Sequence, residues 1–251
     1  MLAWKLLRIV VLIGICCGPA SVASAENFRV ETDVFVAANK EPAVQYLTLF
    51  TQDAIYDFRV TAPEEVTIVD VNRNRLVLLD PKRKAKSTVS TDDVLQSIAL
   101  IKAGVGPNAP AFFAAANPAF EQSYDEATEW LTLASNQMTY RVKGSKPKQP
   151  DAVSRYQEFA DWSARLNATR PGNLPPFARI AVNKAVAELG WLPDEVERVI
   201  PPAGIGQKRL ELRTRHHINW ILSETDRKRI DRVGDQLAEF KAISYQDYRK
   251  Q

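Results

Sequence analysis

The residues able to do chemistry are few and poorly grouped. The two histidines, His216 and His217, are adjacent. On a strand, neighbouring side chains point to opposite faces, so this pair cannot ligate one metal ion there. No His-x-x-x-His or Glu-x-x-His pair occurs, and both histidines read as structural or surface groups with no metal bound. Carboxylate pairs are commoner: Glu64-Glu65, Asp92-Asp93, Asp194-Glu195 and Glu224 with Asp226. Two carboxylates across a cleft would suit a glycosidase. However, Glu64-Glu65 precedes a strand, and the other three pairs fall in the first turns of predicted helices, where they complement the helix dipole. There is no Gly-x-Ser-x-Gly elbow, and Gly204-Ile205-Gly206 lacks the third glycine of a dinucleotide fingerprint. No catalytic residue and no cofactor is assigned; a hydrolase with a carboxylate or histidine site is the third-ranked reading. Asn167-Ala168-Thr169 matches a glycosylation acceptor.

Side chains suited to binding are easier to place. Trp130, Tyr140 and Trp220 lie in predicted strands, and Tyr56 and Phe58 lie in a strand carrying apolar residues on both faces. These five are the candidate lining of an apolar cavity. Lys82, Arg83, Lys84 and Lys86 gather at a predicted hairpin tip and could contact an anionic headgroup. Arg227, Lys228, Arg229 and Arg232 form a second basic cluster on the last predicted helix. A solvated turn and a solvated helix face are the plain alternatives for both clusters.

The elements that must position these groups follow from periodicity. Phe28, Val30, Val34 and Val36 largely alternate with polar residues, as in a half-buried strand. Further strands are expected at 44–51, 54–60, 66–71, 75–80 and 85–90, joined by short turns such as Asn72-Arg73-Asn74, where asparagine tolerates the left-handed conformation. Six short strands in succession make an antiparallel meander. Apolar residues on both faces imply either a sheet covered on both sides or one face lining a cavity. Thr91 is placed as the cap of a helix ending at Gly104. Residues 104–118 read as a loop or short helical turns, and as a candidate flap. Strands resume at 128–134 and 138–143, and 144–150 reads as an exposed connector. Helices follow from Asp151 to Asn167 and from Pro175 to Gly190, with a short one at 193–200. One or two strands cover 209–222, and Ser223 caps a final helix. Strands in runs followed by helices in runs indicate an α+β fold: a curved antiparallel sheet, half-barrel-like, packed against helices.

The chain has 251 residues, 45% hydrophobic and 25% charged, as in an ordinary globular protein. Lys5 and Arg8, an apolar run from Ile9 to Cys17 and Ala23-Ser24-Ala25 describe a secretory signal peptide over 1–25. Residues 26–251 then form a single α+β domain, with a helical insert at about 150–205. Cleavage would take two of the 33 basic residues, leaving 31 against 30 acidic. That balance gives no reason to expect a nucleic-acid partner. Both cysteines, Cys16 and Cys17, leave with the signal, so disulfides and thiolate sites are excluded from the exported chain. Either cysteine could instead carry a lipid anchor.

A resemblance enters through Phe28-Arg29-Val30-Glu31-Thr32, Leu47-Thr48-Leu49-Phe50, Ile55-Tyr56-Asp57-Phe58, Val66-Thr67-Ile68-Val69-Asp70 and Leu76-Val77-Leu78-Leu79-Asp80 with its basic turn. Over roughly 28–90 this meander resembles the opening of the outer-membrane lipoprotein carrier superfamily. Phe159-Ala160-Asp161-Trp162-Ser163 and Trp220-Ile221-Leu222-Ser223 are similar to segments of secreted bacterial proteins. The resemblance implies an open half-barrel whose helices plug a face that binds acyl chains. The expected function is therefore a non-enzymatic exported protein, periplasmic or extracellular, that binds an apolar or lipidic ligand. The alternative is a cell-envelope interaction or assembly protein with a packed core and no small ligand.

Overall fold

The computed structural model describes residues 27–202 and 208–250. The expected signal peptide, Cys16, Cys17 and Gly204-Ile205-Gly206 lie outside the described residues. Strands β1 (Phe28–Val36), β2 (Val44–Phe50), β3 (Ile55–Arg59), β4 (Glu65–Asp70), β5 (Arg75–Asp80) and β6 (Ala85–Ser90) form the expected meander. Asn74 closes the β4–β5 turn at φ 51°, the left-handed conformation anticipated for asparagine. Helices α1 (Thr91–Gly104) and α2 (Pro110–Ala116) lead to β7 (Glu121–Asp125), β8 (Trp130–Ala134) and β9 (Thr139–Ser145). Helices α3 (Ala152–Ala168) and α4 (Phe177–Glu188) are followed by β10 (Leu192–Ile200), β11 (Leu210–Asn219), α5 (Glu224–Glu239), β12 (Lys241–Ala242) and α6 (Tyr245–Tyr248).

The strands make one open sheet in the order β12-β6-β5-β4-β3-β2-β1-β11-β10-β9-β8-β7. All neighbours are antiparallel except β12, which runs parallel to β6. The architecture is α+β, with a curved sheet packed against helices. We call the face under α1–α4 and α6 inner and the face under α5 outer.

Strand periodicity sorts the core. On the inner face Phe28, Val30, Phe50, Ile55, Val69, Leu76, Leu78 and Val89 pack against α1, α3 and α6. Phe28 and Phe50 stack at 4.1 Å between centroids, and Phe159 meets Phe50 edge-on at 5.6 Å. A second inner cluster joins Leu131, Leu133, Tyr140, Val142 and Val196 to Ala178, Val182, Ala185 and Val186 of α4. On the outer face Leu47, Leu49, Phe58, Val66, Ile68, Val77 and Leu79 lie under Val233 and Phe240. The apolar residues on both faces of β2–β5 therefore mean a sheet covered on both sides.

Several expectations need correction. Residues 193–200 are strand, not helix: Val196 and Val199 pair with Val142 and Thr139 of β9, and sheet pairing outweighs the local helical appearance. The helical insert consequently ends at Glu188, and the pair Asp194-Glu195 belongs to a strand, not to a helix cap. Strand β7 was missed because all five of its residues are exposed and show no apolar alternation. The short β12 and α6 were missed after α5. Helix α1 is capped by Ser90, whose Oγ accepts from the Asp93 N–H at 3.0 Å, rather than by Thr91. Asp151 makes no side-chain cap on α3. Ser223 caps α5 as expected, in a full capping box with Asp226. Within the expected connector, Gly144 belongs to β9; a Cβ there would stand 2.7 Å from the Leu192 carbonyl oxygen, which requires glycine.

Candidate ligand site between the sheet and its helices

The five aromatic candidates do not share a cavity. Tyr56 and Phe58 point outward, packing in the cluster under α5. Trp130 also lies on the outer face, with the Arg141 guanidinium 4.3 Å and the Lys143 ammonium 5.2 Å from its ring. Tyr140 is buried inward against α4. Trp220 sits just beyond β11, 5.6 Å from Phe28 in the other inner cluster. The reason is parity: Tyr56, Phe58 and Trp130 occupy outward positions of their strands, which the sequence alone could not orient.

The basic hairpin tip is partly tied down. Arg83 pairs with Asp80 at 2.8 Å and donates to the Tyr248 carbonyl oxygen at 3.2 Å. Lys86 donates to the carbonyl oxygen of Leu237. Lys82 and Lys84 are exposed.

Between the two inner apolar clusters the central strands present polar side chains. Register places His216 of β11, Thr32 of β1, Tyr46 of β2, Arg59 of β3 and Glu65 of β4 in one row across the sheet. The next row contains Thr48 opposite Asp57. Thr48 Oγ1 donates to Asp57 Oδ1 at 2.8 Å. Burial, and behind it the charge of Glu65, raises the Asp57 pKa from 3.8 to about 7, with the Thr48 bond acting the other way.

His216 is held at both ring nitrogens. Thr32 Oγ1 lies 3.0 Å from Nδ1, Tyr156 OH lies 3.4 Å from the same atom, and Thr214 Oγ1 lies 2.9 Å from Nε2. Burial and the Arg179 charge lower its pKa to about 3, so it is neutral at physiological pH. A neutral imidazole has one donor and one acceptor nitrogen, and the threonine hydroxyls can satisfy both. His216 is thus a hydrogen-bonded, neutral side chain on the inner face, while its neighbour His217 is exposed. Burial also pushes the Tyr156 hydroxyl up to about 12, so it stays protonated.

Glu65 does not form an acid–base pair with Asp57. Both of its oxygens accept from Arg170, at 2.9 and 2.7 Å, and Oε1 also accepts from Tyr248 OH at 3.0 Å. Within the expected carboxylate pair Glu64-Glu65, Glu64 is exposed. Among the described residues no three His, Cys, Asp or Glu side chains cluster as a metal site.

Beside this polar strip lies a small pocket of about 10 Å³ between α3, α4 and strands β9 and β10. Its walls are mainly Val142, Val153, Val182, Val186, Trp191 and Val196. Tyr156, Arg179 and Asn183 supply its polar part. The space holds little more than one water-sized molecule in this conformation. The polar strip and this pocket went unassigned in the sequence. A usable signal existed in Thr48 and Asp57, polar residues each flanked by large apolar neighbours in their strands.

The outer face beyond α5 is different. A groove of about 500 Å³ runs over Arg29, Glu31, Asp33, Gln45, Arg215, His217 and Arg229. Opposite charges alternate along it: Arg29 pairs with Asp226 at 2.9 Å, and Asp33 stands across from Arg215. Arg213 and Arg215 lie over the Phe35 ring at 4.7 and 5.7 Å. Among the described residues no helix is long and apolar enough to cross a membrane.

No protein-family model matches the chain, and no curated protein matches it.

Proposed function

We propose that this is an exported, non-catalytic binding protein that holds an apolar or lipidic ligand between the inner face of its sheet and helices α3 and α4. The observation that carries the reading is the valine-lined pocket, whose mainly apolar wall also carries a few polar groups. Burial of an acyl chain there would contribute about 0.8 kcal/mol per methylene. Because the pocket is only about 10 Å³ as it stands, binding requires α4 to move away from β9 and β10. The basic start and apolar run of residues 1–25 support export, and the strand meander over 28–90 supports the likeness to lipoprotein carriers.

Native mass spectrometry on protein purified from its own host tests this, before and after solvent extraction. An adduct of lipid mass, lost on extraction, is the expected result. A clean apo mass with no uptake of added fatty acid or phospholipid would overturn the proposal. It would favour the second reading, a cell-envelope interaction protein, which is supported by the charged stretch of outer sheet face that α5 leaves uncovered.

A further inference from the structure

The pocket contains one cation. Arg179 projects from α4 into the same pocket as Tyr156 and the valines. Among the described residues it makes no ion pair and no hydrogen bond through its side chain. Its charge acts on Asp161 of α3 and favours the ionised carboxyl, but the two form no ion pair or hydrogen bond among the described residues. Asp161 of α3 accepts instead from Asn183 Nδ2 at 2.8 Å, and burial raises its pKa. Asp57, near Tyr156, is held as an acid by burial, and Glu65 is neutralised by Arg170. His216, which also faces this region from β11, is neutral. Tyr156 and the threonine hydroxyls of β1 and β11 are uncharged. A guanidinium lining a mainly apolar pocket, with no carboxylate in ion-pair contact with it, is complementary to a planar or tetrahedral oxyanion.

We propose that the ligand of this pocket is a single-chain amphiphile with an anionic head, carboxylate or phosphate, in which Arg179 binds the head and the valine wall of α4, β9 and β10 takes the chain. The inference rests on the binding reading above and adds to it the charge of the ligand. Arg179 and the valine wall line the same pocket, so a displacement of α4 that admits a chain would also present the guanidinium to its head.

The test is direct titration of the full chain with dodecanoate, dodecyl phosphate and dodecanol, each below its micelle concentration, for wild type, Arg179→Gln and Arg179→Lys. Wild type should bind at least one of the two anions about ten-fold more tightly than the alcohol, the scale of a charge-assisted pair relative to a neutral hydrogen bond. Arg179→Gln should remove that preference, bringing anion affinity down to that of dodecanol, whereas Arg179→Lys should keep most of it. Which anion is preferred separates a fatty acid from a phosphate monoester. Equal binding of dodecanol and both anions by wild type would overturn the headgroup assignment and leave the binding reading standing. So would equal loss of all three ligands in Arg179→Gln while Arg179→Lys stays folded by circular dichroism. No uptake of any of the three would overturn the binding reading itself, and this inference with it.

Discussion

Replacing Asp57 by asparagine should stabilise the protein at alkaline pH. In the native state the Asp57 carboxyl titrates at about 7, against 3.8 for the ordinary group. The folded state therefore holds this proton more tightly than the unfolded chain. Between those two values the native state binds more protons, so the Asp57 contribution falls as pH rises through the window and the full penalty is reached above about pH 7. Raising the pKa from 3.8 to about 7, at about 1.36 kcal/mol per pH unit, sets an upper bound of about 4 kcal/mol. Asp57 keeps some accessible surface, and screening there reduces the figure to about 2–4 kcal/mol. Asparagine keeps the shape of the neutral acid, and its carbonyl oxygen can still accept from Thr48. The assay is urea denaturation of wild type and Asp57→Asn at pH 4.5 and pH 8.5. The variant should gain about 2–4 kcal/mol at pH 8.5 and differ by less than about 1 kcal/mol at pH 4.5. Equal stability at pH 8.5, or a loss there, would refute the placement of a reluctantly ionised carboxyl on the inner face.

His216 supplies the opposite slope, because its folded pKa of about 3 lies below the ordinary histidine value of 6.5. Its contribution is complete above about pH 6.5 and is lost as pH falls toward 3, so wild type should lose more stability than His216→Gln when the pH is lowered from 7 to 4 in urea denaturation. Phe50→Ala should cost about 3–5 kcal/mol in urea denaturation, because Phe50 is fully buried between Phe28 and Phe159. Ser223→Ala should lower stability by about 1 kcal/mol through loss of the α5 cap, visible as a lower denaturation midpoint. Arg83→Ala should destabilise measurably by the same assay, whereas Lys82→Ala should stay within about 0.5 kcal/mol of wild type, since only Arg83 is engaged by the chain.

The meander was legible because its strands alternate and its turns carry asparagine, aspartate and proline. β5 and β6 appear with the bounds read from the residues, and the other four strands within one residue of them. What escaped was decided by partners far along the chain. Residues 192–200 are a strand because β9 and β11 flank them, and nothing in Leu192-Pro193-Asp194-Glu195 announces that. The candidate lining failed for a related reason. Alternation states which residues share a face but not which face the helices cover, so Tyr56 and Phe58 were grouped with Tyr140 although they point away from it. The pocket itself depends on Tyr156 of α3 and Arg179 of α4 reaching strands 14 or more residues away in sequence, a meeting no local pattern encodes.

The division of the inner face explains why a site would form there. A continuous apolar interface from β6 to β8 would weld α3 and α4 to the whole sheet. Instead Thr32, Tyr46, Thr48, Asp57, Thr214 and His216 separate the cluster around Phe50 from the cluster around Val182. Several of these groups satisfy one another: Thr48 serves Asp57, and Thr32 and Thr214 serve His216, whereas the buried Nε of Arg59 in the same row has no partner. Opening the α4 side therefore need not disturb the Phe28–Phe50–Phe159 packing that anchors α3. The α4 half of the interface is built largely of valine and alanine, whose individual burial contributes less than that of phenylalanine. On the proposed binding reading, a strong aromatic anchor on one side and a weaker aliphatic seam on the other would let α4 yield to a ligand while the sheet stays fixed.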